Sequence, residues 1–205
     1  MKMDTNLVLP SFYLPPINAV SAIHANRGNL IIEKFEHFPK QTYRNRAVIY
    51  SPNGKLDLII PVVKGSKVHT VIKDVRISYE SNWQRLHWLS LQTSYRRSAY
   101  FEFYEDNFAP FYSKKYDFLF DFNLELLQQL LQLLKIKKEV ILTDSYKKEY
   151  IGATDLRASI HPKKTFEKPE IKTYFQVFEP KHGFFPNLSI IDLLFNQGPN
   201  SLNYL

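Results

Sequence analysis

Two short apolar runs near the start of the chain, Leu7-Val8-Leu9 and Leu30-Ile31-Ile32, constrain the fold more than any other feature. Each has the length of a buried strand; Pro10 stops the first, Gly28 precedes the second, and the strand over Asn29 to Glu33 is rich in branched residues. Between them Pro15-Pro16 opens a segment, Ile17 to Ala25, that reads as a helix, because a first turn tolerates proline's missing N–H. Strand, helix and strand in succession predict a parallel pair joined by a helical crossover.

A second unit follows. Ala47 to Tyr50 and Lys55 to Val63 flank Ser51-Pro52-Asn53-Gly54, and Asn-Gly between apolar runs is a strong hairpin signal. Leu56, Leu58 and Ile60 alternate with Lys55, Asp57 and Ile59, so one face of the second arm is buried. After the polar turn Lys64-Gly65-Ser66-Lys67 a further strand is expected over Val71 to Tyr79. Asn82 to Arg97 and the leucine- and glutamine-rich Asn123 to Lys135 read as helices. Glu139 to Leu142 and Lys172 to Phe178 read as strands, and Leu188 to Phe195 as a short helix capped by Asn187 and ended near Gly198-Pro199. Ser145 to Pro169 has many lysines and few large apolar groups, and reads as a mobile loop. The fold class expected is α/β: one mixed α/β domain over residues 1–205, with a central sheet, a β-hairpin near residues 47–63 and packed helices.

Composition narrows the chemistry. With 44% apolar and 23% charged residues the chain has ordinary globular usage. It has no cysteine, which excludes disulfides, zinc–thiolate sites, iron–sulfur clusters and cysteine nucleophiles together. Met1 to Pro10 lacks a signal-peptide core, and no apolar stretch approaches the roughly 18 residues that span a bilayer, so the cytoplasm is the expected location. The net charge of +7 suits an anionic partner. Its basic pairs are scattered, however, with no RNA-binding signature, so a phosphorylated small molecule is expected before nucleic acid, and a merely solvated surface is the other reading.

No glycine-rich phosphate loop, nucleophile elbow, dinucleotide fingerprint or His-Glu-x-x-His is present, so any site must be assembled from distant segments. The six histidines never fall at metal-ligand spacing, and no metal is expected. Lys40-Gln41-Thr42-Tyr43-Arg44-Asn45-Arg46 concentrates donors suited to phosphate or carboxylate, or else forms a strand entrance with structural ion pairs. His87 is a candidate acid or base by its chemistry, and a packed core or rim residue by its tryptophan neighbours. The aromatic stretch Tyr95 to Phe120 could stack rings or pack a helix pair. Asp155-Leu156-Arg157 places opposite charges two apart, able to pair with each other or with other segments.

Taken in order, Tyr13-Leu14-Pro15-Pro16-Ile17, the Lys40 to Arg46 block, Ile72-Lys73-Asp74-Val75, Trp83-x-x-x-His87 and the block from Phe185-Pro186-Asn187-Leu188 to Gly198-Pro199 resemble the WbqC-like family. The resemblance runs from about Leu7 to Leu205, and the C-terminal block is its most specific piece. Members occur in gene clusters for bacterial O-antigen and related surface polysaccharides, and a glycine-transferase role has been proposed for some. The resemblance therefore implies a cytoplasmic transferase, with glycine as the candidate group, acting on a nucleotide-linked amino sugar. Its partners would be a nucleotide sugar or other phosphorylated small molecule and a carrier-bound acyl donor, with no cofactor. A non-enzymatic binding or assembly protein of the same process is the alternative. Carried onto matching positions, the resemblance implies His87 and Asp192 as catalytic residues and Lys40, Arg44, Asn45, Arg46, Asn187 and Asn196 as ligand-binding ones. Many relatives have Gln-Pro at the end of the first strand and paired aspartates after the second. This chain has Leu9-Pro10-Ser11 and Ile32-Glu33-Lys34, which leaves one carboxylate there.

Overall fold

The computed structural model describes residues 5–63, 70–164 and 171–205. β1 (Leu7–Pro10), α1 (Ile17–Ala25) and β2 (Leu30–Glu33) form the expected unit, with Leu7 opposite Leu30 and Pro10 opposite Glu33 in parallel register. Ile17, Val20 and Ile23 of α1 are buried against this sheet and its neighbours. Gly28 is required before β2: a Cβ there would lie 2.5 Å from the Thr5 carbonyl oxygen, inside any real contact distance.

β3 (Arg46–Ser51) and β4 (Gly54–Ile59) pair antiparallel as the expected hairpin, and Gly54 supplies a left-handed φ of 98° at the turn. β4 ends at Ile59, before the expected Val63. The turn expected at Lys64 to Lys67 lies outside the described residues. The strand expected over Val71 to Tyr79 does not form. Ile72–Asp74 is a 3₁₀ turn, and the flanking residues bridge three unrelated partners, His37 with Val71, Val62 with Ile77 and Phe118 with Arg76. The Val75 N–H donates to the Ile72 carbonyl at 3.2 Å, three residues back, which is the bond of such a turn and not of a strand.

α2 (Trp83–Tyr95) matches the sequence pattern. α3 (Phe101–Phe108) buries Phe101, Tyr104 and Phe108 at helical spacing, so most of the aromatic stretch is core. α4 (Leu119–Leu133) starts four residues before the expected Asn123, because Leu119, Phe120 and Phe122 are themselves buried on it. β5 (Val140–Leu142) then joins β2, and β6 (Thr154–Asp155) joins the far side of β1, which gives a fully parallel sheet of order β5-β2-β1-β6. The protein is thus a mixed α/β fold with a parallel four-stranded sheet, an antiparallel hairpin and, among the described residues, six α-helices.

α5 (Glu179–His182) and α6 (Ile190–Gln197) complete the chain with a closing 3₁₀ segment. The strand expected over Lys172 to Phe178 is absent. Its alternation is real, with Tyr174 and Gln176 buried and Phe175 exposed, but the Gln176 amide bonds both the N–H and the C=O of Phe185, standing in for a strand partner. The cap expected at Asn187 is also relocated. Ser189 occupies the N-cap of α6 and its Oγ donates to the Leu14 carbonyl, while Asn187, with φ 56°, turns back so that its Oδ1 accepts the N–H of Asn18 in the first turn of α1. Among the described residues no helix is long and apolar enough to cross a membrane.

Candidate active site at the carboxyl edge of the sheet

Four parallel strands present their carboxyl ends along one edge, and β1 stands between β2, reached first, and β6, reached last. In open parallel sheets this edge, beside the strand where the connections diverge, is where ligands bind. The residues that close these strands here are polar: Ser11 after β1, Glu33 ending β2, Thr143 after β5, and Asp155 and Arg157 at β6.

Glu33 is 0% exposed and four donors converge on it. Oε1 accepts the Phe35 N–H at 2.8 Å and the Thr143 hydroxyl at 2.9 Å; Oε2 accepts the Tyr150 hydroxyl at 2.7 Å and faces Arg157 Nη1 at 3.4 Å. Arg157 forks onto Asp155 at 3.0 and 2.6 Å and donates to the carbonyls of Lys147 and Lys148 at 3.0 and 3.1 Å. Its guanidinium also lies over the rings of Tyr150 and Tyr146. The expected mobile loop from Ser145 to Pro169 is thus not a loop throughout: it contains β6, paired with β1, and the stretch before β6 is tied to the sheet edge by Arg157 and by the Tyr150 bond to Glu33; residues 165–169 lie outside the described residues. Burial alone would raise the Asp155 pKa, but hydrogen bonds and charge from Arg157 lower it below the ordinary value. Burial, then the Glu33 contact, raises the Tyr150 phenol well above its ordinary value, so it is a protonated donor at neutral pH.

Arg44 reaches the same edge. Its Nε and Nη2 grip Glu36 at 2.6 and 2.7 Å, and Nη2 also lies 3.4 Å from the Arg157 carbonyl. Asn123 on α4 donates to Ser11 Oγ at 3.0 Å and to the Arg44 carbonyl at 2.8 Å, and its Oδ1 has no partner among the described residues.

The remaining sequence candidates show no hydrogen bond to Glu33, Asp155 or Arg157 among the described residues. Lys40 is exposed, Asn45 donates to the Ile60 carbonyl at the open end of the hairpin, and Arg46 on β3 faces Asp57 at 3.4 Å. His87 lies in an aromatic cluster with Tyr13, Trp83 and Tyr112. Burial lowers its pKa to about 4, although a hydrogen bond to the Ile59 carbonyl works the other way. With the proton thus on Nε2, Nδ1 accepts the Tyr13 hydroxyl at 3.0 Å, and Tyr112 in turn donates to Tyr13 at 3.0 Å. Asp192 is also 0% exposed and accepts from Tyr95 at 2.8 Å, Tyr174 at 2.6 Å and Gln176 at 3.2 Å. Asn196 donates to the Asp192 carbonyl one turn back. The candidates thus fall into separate clusters, and Arg44 is bonded to the edge cluster through the Arg157 carbonyl.

A family model described as the WbqC-like protein family matches residues 11–204. The chain belongs to the WbqC-like protein family. It is also 25% identical over 194 positions, spanning 82% of this chain and 83% of the other, to an uncharacterized protein of Mycobacterium tuberculosis (strain ATCC 25618 / H37Rv), Rv1507c. No solved structure matches this one. In this WbqC-like protein the sequence left Glu36, Thr143 and Tyr150 unsuspected as site residues. Two weak signals pointed to the edge: an acid closing the apolar run Leu30-Ile31-Ile32-Glu33, and the Asp155-x-Arg157 pair.

Proposed function

We propose that this WbqC-like protein is a transferase of bacterial surface-polysaccharide biosynthesis, which places an acyl group, glycyl in the first instance, on the amine of a nucleotide-linked amino sugar. The observation that carries the reading is the buried Glu33 carboxylate at the carboxyl edge of the parallel sheet, bonded by the hydroxyl of half-buried Tyr150. In the proposed step the sugar amine attacks the carbonyl carbon of a carrier-bound ester or thioester. The N–C bond forms, and the carrier's C–O or C–S bond breaks. The surplus amine proton passes to the Tyr150 oxygen while the phenolic proton moves to Glu33 Oε2; return of that proton to the departing alkoxide or thiolate closes the cycle. Arg157 holds both carboxylates in place for this and closes the loop over the edge.

Purified protein incubated with a nucleotide-linked amino sugar and an aminoacyl donor tests the reading by mass spectrometry of the sugar. Acyl transfer that drops by roughly a hundredfold or more in Glu33→Gln and Tyr150→Phe is expected, the scale of general acid–base catalysis. Unchanged transfer in both variants defeats the assignment of these residues.

A non-enzymatic binding or assembly role is the second reading. Leu86 and Leu89 on α2, 59% and 43% exposed, and Phe103 on α3, 73% exposed, give two adjoining helices an apolar outer surface. Loss of polysaccharide in cells on Leu86→Ser with Phe103→Ser, combined with no acyl transfer by the wild-type protein, favours that reading.

A further inference from the structure

Among the described residues around the sheet edge, two lysines stand outside the ion pairs. Arg44 is committed to Glu36, and Arg157 to Asp155 and Glu33. A few residues beyond Arg157, His161, Lys163 and Lys164 follow on a turn that folds back on the segment: Lys164 N–H donates to the His161 carbonyl at 3.0 Å and Lys164 Nζ to the Ala158 carbonyl at 2.8 Å. Among the described residues neither lysine has an ion-pair partner, whereas Lys73 and Lys114 have Asp74 and Glu125. His161 Nδ1 accepts the Lys163 N–H at 3.1 Å, which places the neutral ring's proton on Nε2 as a further donor. Arg44 bridges to this segment through the Arg157 carbonyl, and its Nη1 is bonded by none of the described residues. After burial, the charges of Lys164, Arg44 and Lys163 depress the His161 pKa, which is the effect of three cations gathered about one ring.

Such a gathering of forked and point-charge donors about one ring, beside a candidate active site, suits a polyanion more than a single carboxylate. We infer that Arg44, His161, Lys163 and Lys164 form the subsite for the diphosphate of a carrier-linked sugar. The inference rests on the sheet edge being the active site proposed above. It separates two duties: Glu33 and Tyr150 meet the reacting amine, and the cationic turn holds the phosphates. It also assigns phosphate recognition to residues after β6, not to the Arg44-Asn45-Arg46 run as a unit, since Asn45 and Arg46 face the hairpin.

Isothermal titration of the full chain with inorganic pyrophosphate is the test. Saturable binding is expected, weakened roughly tenfold or more in K163Q/K164Q, which removes two charge-assisted contacts. K55Q/K181Q, which removes the same net charge beside the hairpin turn, should leave it within about twofold, because distant surface charges are screened. No saturation by wild type, or equal weakening in both double variants, overturns the subsite. Competition by uridine diphosphate or by geranyl diphosphate supports it, and whichever displaces pyrophosphate names a nucleoside or a lipid carrier; displacement by neither overturns it. Proton NMR adds an independent readout: pyrophosphate should raise the His161 pKa, and an unmoved titration also overturns the placement. Pyrophosphate binding that responds to K163Q/K164Q without any acyl transfer supports the subsite and defeats the transferase reading. Acyl transfer with an unchanged sugar KM in K163Q/K164Q does the reverse.

Discussion

Asp192→Asn makes a quantitative test of the buried network on α6. Asp192 is fully buried, and burial raises its pKa from 3.8 to about 6, even though Tyr174, Tyr95 and Gln176 each stabilise the ionised form. The folded state thus binds this proton more tightly than the unfolded state does. The favourable contribution is complete below the unfolded pKa near 3.8 and is lost as pH rises through about 6. A shift of roughly two units corresponds to about 3 kcal/mol across the whole range. Between pH 5 and pH 7.5 the same linkage predicts a loss of about 1–2 kcal/mol. An amide at 192 keeps the shape and has no such proton, so its stability lacks this component. Urea unfolding at the two pH values, for wild type and variant, gives a double difference in which other titrating groups cancel. Wild type should lose about 1–2 kcal/mol more than Asp192→Asn on going to pH 7.5. Identical pH dependence of the two proteins would refute the argument, as would an Asp192 carboxyl carbon titrating near 4 by NMR.

Four further outcomes follow from single contacts. Gly198→Ala should destabilise the protein by about 2–4 kcal/mol by denaturation, because Gly198 has φ 53° and its Cβ would lie 2.5 Å from the Tyr100 ring; a loss under about 0.5 kcal/mol contradicts that packing. His87→Ala should cost about 2–4 kcal/mol through the cavity and the loss of the acceptor that takes the Tyr13 hydroxyl proton. In wild type the histidine's contribution is whole above its ordinary pKa of 6.5 and falls away as pH drops toward 4, so an NMR titration with a midpoint at 6.5 would contradict it. Asn187→Gly keeps the left-handed backbone but removes the cap on α1, at a cost of about 1 kcal/mol, and faster amide exchange at Asn18 is the accompanying sign. Arg157→Ala should release residues 144–153, raising hydrogen exchange and proteolysis there while leaving β1 and β2 protected; an unchanged loop argues against the arginine as its tie.

Short-range pattern determined a large part of this fold. β1, α1 and β2 are legible because apolar runs, prolines and one glycine act over a few residues, and the hairpin follows from Gly54 between alternating arms. α2 follows from helical spacing, α6 from its spacing and the Gly198 stop although it begins at Ile190 and not Leu188, and α4 from spacing apart from its first turn. The sequence also left Arg44 both of its readings, and the structure pairs it with Glu36 at the sheet edge. What the chain alone did not reveal depends on partners far away in sequence. Val71 to Tyr79 and Lys172 to Phe178 have strand-like composition, but a ladder needs a neighbour in register; one segment meets three isolated partners and the other reaches the Phe185 backbone through its own Gln176 side chain. Asn187 reads as the cap of the helix beside it, and caps α1 because the chain reverses there. Glu33, Thr143, Tyr150 and Arg157 are spread over more than a hundred residues and converge because all four strands run the same way and end on one edge. Side-chain period is a local property, but strand order is set by which faces can be buried together, so the sheet and not the sequence neighbourhood assembles the candidate site.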